Sequence, residues 1–211
     1  MGETLRPSSA RKKQAILDAA EVVFLRDGYL GANMDELAAR SGVSKQTVYA
    51  HFGSKEALFV ALVSAMTTAA GDEVHDPVPD PADRSELPDF LSAYAERQLT
   101  AVLTPRVLQL RRLVIGEVSR FPDLGRALWD GGPTRAMTSM AARFERLTAL
   151  GWLRADDPET AASSFNWLVM SKPLNEAMLL GDRAVPEPAE LRRHCAEAAR
   201  IFLAAYGTAE G

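Results

Sequence analysis

Apolar residues recur at intervals of three and four along nearly the whole chain, and strict apolar–polar alternation is scarce. That spacing predicts an all-α protein. A first helix is expected from about Ser9 to Arg26, with Ile16, Ala20, Val23 and Phe24 on one face and a stop at Gly28. Asn33, with Glu36 three residues on, forms an Asn-x-x-Glu capping arrangement for a second helix, and Ser44 can cap a third. Ser54 can cap a longer fourth helix, in which Leu58, Leu62 and Met66 keep helical spacing. Gly71 to Pro88 holds four prolines and six acids with little apolar period, which predicts a loop or linker. Composition leaves open whether it separates domains or interrupts one helical body. Further helices are expected near 88–103, 105–120, 133–150, 157–180 and 187–206, with a short one over 122–130, and Gly131-Gly132-Pro133 among the breaks. Pro173 falls inside the 157–180 segment and predicts a kink or a restart close to Ser171.

Met34 to Phe52, MDELAARSGVSKQTVYAHF, is the most specific stretch: two short helices joined by a Gly-Val-Ser corner. Gly42 can take the positive φ of a tight inter-helix turn, and the small Ala38 lets the second helix approach. Leu37, Val43 and Val48 supply apolar contacts across the crossing. Lys45, Gln46, Thr47, Tyr49 and His51 then offer donors and a ring on the outer side of a helix suited to the major groove. A bare three-helix scaffold would have the same geometry without a reason to collect donors on one face.

At 211 residues, 47% hydrophobic and 25% charged, the chain has the composition of a soluble globular protein of one large or two modest domains, not of a disordered or fibrous one. A single cysteine, Cys195, excludes an internal disulfide, and no run approaches a membrane span or a signal peptide, so a cytoplasmic protein is expected. The net charge of −4 argues weakly against DNA until its distribution is considered. Leu5 to Gln14 carries Arg6, Arg11, Lys12 and Lys13 with no acid; residues 1–60 are net +1 and the remainder net −5. Screening over about 8 Å makes such local charge decisive at a phosphate backbone.

From Arg11 to Phe59 the chain resembles the DNA-binding domain of TetR-family transcriptional regulators. AILDAAEVVFLRDGY, GANMDELAARSGVS, KQTVYAHF and GSKEALF carry the likeness in order. The resemblance implies a helix-turn-helix domain over 9–54, followed by a helical effector-binding and dimerisation domain over 55–207. It assigns base reading to Lys45 and Gln46, sometimes with Tyr49, and backbone contacts to Tyr49, His51 and Lys55, with Thr47 a further phosphate contact. Asn33 can cap its helix or hold a phosphate. RLVIGEVSRFPDLGRALWDGGP and GWLRADDPETAASSF resemble the AefR-like subgroup of C-terminal domains. That implies a small-molecule effector and a homodimer through residues 157–206, with Leu191, Cys195, Ala198, Phe202 and Ala205 as the apolar stripe of the last helix.

For an effector pocket, large or polarised residues at helical spacing are the candidates: Tyr94, Glu117, Phe144, Asn166, Trp167 and Met170, with Glu117 and Asn166 as polar markers. His51, His75 and His194 are too scattered for a metal site, and no phosphate loop or nucleophile elbow appears. No enzyme activity and no cofactor are expected. The expected function is a DNA-binding transcriptional regulator, most simply a repressor of a palindromic operator.

Overall fold

The computed structural model describes residues 7–75 and 79–208, and among them the chain is helical with no strand. The helices are α1 (Pro7–Gly31), α2 (Met34–Ser41), α3 (Lys45–Phe52), α4 (Lys55–His75), α5 (Leu87–Val102), α6 (Pro105–Glu117), α7 (Pro122–Trp129), α8 (Arg135–Ala149), α9 (Pro158–Leu180) and α10 (Pro188–Tyr206). Arg6, part of the basic run, lies outside the described residues; Arg11, Lys12 and Lys13 are exposed on the first turns of α1. No helix among the described residues is long and apolar enough to cross a membrane.

Local chemistry fixes the first boundaries. At Gly28, φ 73° and ψ 177° interrupt α1, so residues 28–31 form a separate turn. The Asn33 side chain accepts the N–H groups of Asp35 (2.8 Å) and Glu36 (3.4 Å), so the cap is made. Glu36 does not close the reciprocal half of the capping arrangement; its carboxylate meets Arg26 at 2.7 Å instead. Ser44 Oγ accepts from Thr47 N at 3.1 Å and Ser54 Oγ from Ala57 N at 3.0 Å, capping α3 and α4.

The expected loop from Gly71 begins later, because α4 continues to His75. Arg135 packs over Gly71, where a Cβ would lie 3.0 Å from its Nη1. The same guanidinium donates to Thr68 O (3.3 Å) and to Asp72 Oδ1 (2.6 Å), and Val74 is buried beyond it. Gly131-Gly132-Pro133 is likewise no break. Residues Asp130–Thr134 form one turn of π-helix joining α7 to α8, with Gly131 and Gly132 against Thr67.

Pro173 does not interrupt α9, which runs unbroken from Pro158 to Leu180. Proline has no N–H for the carbonyl four residues back, here Val169. The ring of His194 on α10 supplies the donor, with Nε2 2.8 Å from Val169 O. A neighbouring helix therefore repairs the defect that the sequence forecast.

Among the described residues two compact units emerge, those up to 66 together with 109–128, and those of 67–108 together with 129 onward. This packing division cuts α4 at Met66 and differs from the split after residue 54 read from the sequence, because α6 and α7 add Leu110, Val114 and Leu124 to the first core. In that core Phe24 and Phe59 stack at 4.8 Å and Tyr29 lies 5.5 Å from Phe59. The second core centres on Phe144, Phe165 and Phe202, with Phe144 and Phe202 stacked at 4.7 Å.

Candidate nucleic-acid interface

Helix α3 sorts its residues into rows four apart. Val48 is fully buried and Phe52, one turn on, packs on the same core, so this row anchors the helix. Two other rows, Gln46 with Ala50 and Thr47 with His51, line a shallow surface hollow of about 320 Å³. Lys45 and Tyr49 form the remaining row, Tyr49 being 37% exposed. Gly42 holds the corner at φ 68°, in the left-handed conformation expected of it. The anchored row thus forces every other row outward.

Each polar candidate carries its own constraint. Gln46 is exposed on the outer face. Thr47 Oγ1 lies 2.8 Å from Ser44 Oγ, and the cap therefore orients its hydroxyl. Lys45 Nζ is 3.0 Å from Asp35 Oδ2, an exposed ion pair worth at most about 1 kcal/mol and easily exchanged for another acceptor. Lys55 Nζ donates to Ala32 O (2.7 Å) and Leu30 O (3.4 Å) and sits 5.1 Å from the centroid of the Tyr29 ring. Burial lowers its pKa. Lys55 is therefore a half-buried tie between α4 and the end of α1 as well as a cation. Arg26 bridges Asp27 and Glu36 and, by hydrogen bonding, holds both carboxyls below their ordinary pKa values.

The candidate effector residues separate into three environments. Tyr94, Phe144, Asn166 and Met170 are buried in the second core. Burial pushes the Tyr94 phenol up to about 12, against the opposing influence of Arg143 and Arg97. Asn166 Oδ1 accepts from Gln98 Nε2 at 2.8 Å, a buried amide pair between α9 and α5 that sequence inspection missed at Gln98. Trp167 is 44% exposed and stacks on Trp129 at 6.1 Å, because one residue of helix turns it away from the inward Asn166. Glu117 ends α6 in the first unit.

None of the six lines the larger hollow of the second unit, about 780 Å³, nor a second of about 610 Å³ along α8 and α9. The larger one is bounded by Asp80, Phe90, Ala93, Glu96, Arg97 and Thr100, among others. Large side chains at helical spacing closed the core; small ones left the gap. The only sequence signal for it was a run of alanine and threonine beside Arg97 on one face of α5. The stripe Leu191, Cys195, Ala198 and Phe202 also departs from expectation, since it packs into the core of its own unit, and Ala205 is exposed. The large apolar residues that α9 and α10 leave exposed are Trp167, Leu179, Leu180 and Ile201.

Residues 16–62 match the family of bacterial regulatory proteins, tetR family, and residues 89–208 match the AefR-like transcriptional repressor, C-terminal domain. An HTH-type transcriptional regulator of Mycobacterium tuberculosis is 30% identical over 158 residues, 73% of this chain and 69% of that protein. The HTH-type transcriptional activator FasR of Mycolicibacterium smegmatis is 46% identical over 57 residues, only 27% of this chain and 26% of its own. Among solved structures, a TetR-family regulator from Mesorhizobium loti superimposes with a TM-score of 0.87 at 35% identity, covering 96% of this chain and all of that one. The flavonoid-responsive regulator FrrA gives 0.78 at 29% identity, covering 95% of this chain and 100% of its own.

Proposed function

Since the chain belongs to the TetR family of transcriptional regulators and carries that family's DNA-binding domain, we propose that it is a cytoplasmic homodimeric repressor that a small-molecule effector releases from a palindromic operator. The outer face of α3 carries this reading: Val48 anchors the helix while Gln46, Thr47, Ala50 and His51 remain on the surface. Gln46 reads a base, adenine being the partner its amide matches bidentately. Lys45 reads beside it after leaving Asp35. Thr47, Tyr49, His51 and Lys55 grip phosphates, and the Ala50 methyl meets a thymine methyl.

The dimer forms through residues 157–206. Leu179 and Leu180 at the end of α9 are 80% and 71% exposed in the single chain and Ile201 on α10 is 40% exposed, apolar surface that pairing would cover. The description of the C-terminal match as a repressor favours repression over the activation named for FasR, whose likeness is confined to the head. An effector in the second unit acts on α4, whose first residue is Lys55 and whose last turns are held by Arg135. Displacing α4 changes the spacing of the two recognition helices and costs one half-site. By its name FrrA responds to flavonoids, which makes aromatic effectors one class to try.

Selection of bound fragments from random duplex DNA tests the reading. A palindrome with half-sites about one helical turn, ~34 Å, apart is expected. Recovery of an unpaired single site, or no enrichment, would reject it.

A further inference from the structure

The larger hollow of the second unit contains one charged group unlike its neighbours. Arg97 lines it, and its Nε and Nη2 are closed to solvent with no hydrogen-bond partner among the described residues. Its guanidinium lies 6.0 Å from the centroid of the Tyr94 ring, which faces the π-surface and leaves the N–H edge unmet. The acids around the hollow do not serve it. Asp80 binds Arg143 at 2.5 Å and Arg146 at 2.8 Å, Glu86 accepts the N–H of Ala82 at 2.8 Å, and Glu96 lies 3.8 Å from Arg192. Asp89 is two turns back on α5, about 12 Å along the axis. A guanidinium stays charged at every accessible pH, so enclosure without an acceptor is costly until an anion arrives.

Which anion fits follows from the unpaired edge. Nε and Nη2 present two parallel N–H groups, spaced for the two oxygens of a carboxylate. The same edge holds carboxylates elsewhere in this chain: Arg26 grips Asp27 at 2.7 and 2.6 Å, and Arg200 grips Glu197 at 2.7 and 2.6 Å. Phe90, Ala93 and Ala101 add apolar wall for the body of a ligand. Glu86, Asp89 and Glu96 in the lining disfavour a second negative charge. We propose that this hollow binds a monocarboxylate with an apolar or aromatic body, and that Arg97 turns its closed N–H edge into the hollow to pair Nε and Nη2 side-on with the carboxylate. The assignment rests on the effector reading above and gives that effector a chemical class.

Calorimetry on the full chain with benzoate, cinnamate and octanoate, each beside its neutral amide, tests it, with operator release measured in parallel. The carboxylates should bind about tenfold or more tighter than the amides. Arg97→Gln should abolish that preference, and Arg97→Lys, which keeps the charge but loses the two-pronged edge, should recover only part of it. Circular dichroism and operator binding without ligand should match the parent in both variants. Equal binding of acids and amides, no binding of any acid, or a preference that survives Arg97→Gln would overturn the proposal. A neutral flavonoid that releases operator from parent and Arg97→Gln alike would overturn it while leaving the effector reading standing. Carboxylates that bind through Arg97 without changing operator affinity would support the site and reject its role as effector pocket.

Discussion

In the proposed division of labour on the head, two residues should be separable by experiment. Gln46 is exposed and its side chain makes no hydrogen bond among the described residues, so Gln46→Ala should alter sequence preference at one position by about 1–3 kcal/mol and leave melting temperature unchanged. Lys55 has a structural tie beside its proposed phosphate contact. Lys55→Ala should weaken binding to all sequences and lower the salt slope by about one, and should also reduce stability by about 0.5–1.5 kcal/mol because the hydrogen bond to Ala32 O is lost. Titrations at several salt concentrations, with melting curves, check both; indistinguishable variants would reject the roles. In the body, burial raises Cys195 to about 11 and Tyr94 to about 12, favouring their neutral forms in the fold. Their contribution to stability is whole below the unfolded values of about 9 and 10 and disappears as pH climbs through 11 to 12. Urea midpoints should fall over that range, and a disulfide reagent should modify Cys195 at neutral pH only on unfolding.

At the level of elements, the positions where the sequence was misread are those where one helix supplies what another lacks. Asn33, Ser44, Ser54 and Gly42 act within a few residues of themselves, and their caps and corner were legible. Pro173 is different, because its consequence depends on His194, 21 positions away in the sequence and adjacent only after α9 and α10 pack. His194→Ala should cost about 1–3 kcal/mol by leaving the Val169 carbonyl without a donor. In a Pro173→Ala background the restored N–H at 173 can serve that carbonyl, so the same change should cost less, with a coupling of about 1 kcal/mol. Urea denaturation of the four proteins measures this cycle, and strict additivity would contradict it. The π-turn at Asp130–Thr134 follows the same rule: Gly-Gly-Pro reads as a stop, yet the absent side chains of Gly131 and Gly132 admit Thr67 and the helix carries on.

For the molecule as a whole, the proposed homodimer is what would turn two weak half-site contacts into one strong one. Leu179→Lys with Leu180→Lys should give monomers by sedimentation velocity and reduce operator affinity by about 10²-fold or more, while helicity is retained because neither side chain is buried in its own unit. A dimer that persists would move the interface elsewhere. The stripe Leu191, Cys195, Ala198 and Phe202 had indicated the partner-facing side of α10, but an apolar stripe records only that something covers it, and here it lies in the core of its own unit, with Phe202 against Phe144 and Phe165. The sequence by itself determined the all-α class, the helix-turn-helix from Met34 to Phe52, its caps and the outward set on α3, because these depend on helical period and on contacts a few residues long. Tertiary structure alone decided that Asn166 bonds Gln98, that Trp167 faces outward, that α4 reaches His75, and that Arg97 borders the hollow with its N–H edge unmet. Those outcomes depend on which helix faces meet, and a gap between packed helices is set by the fit of distant side chains, which no local pattern encodes.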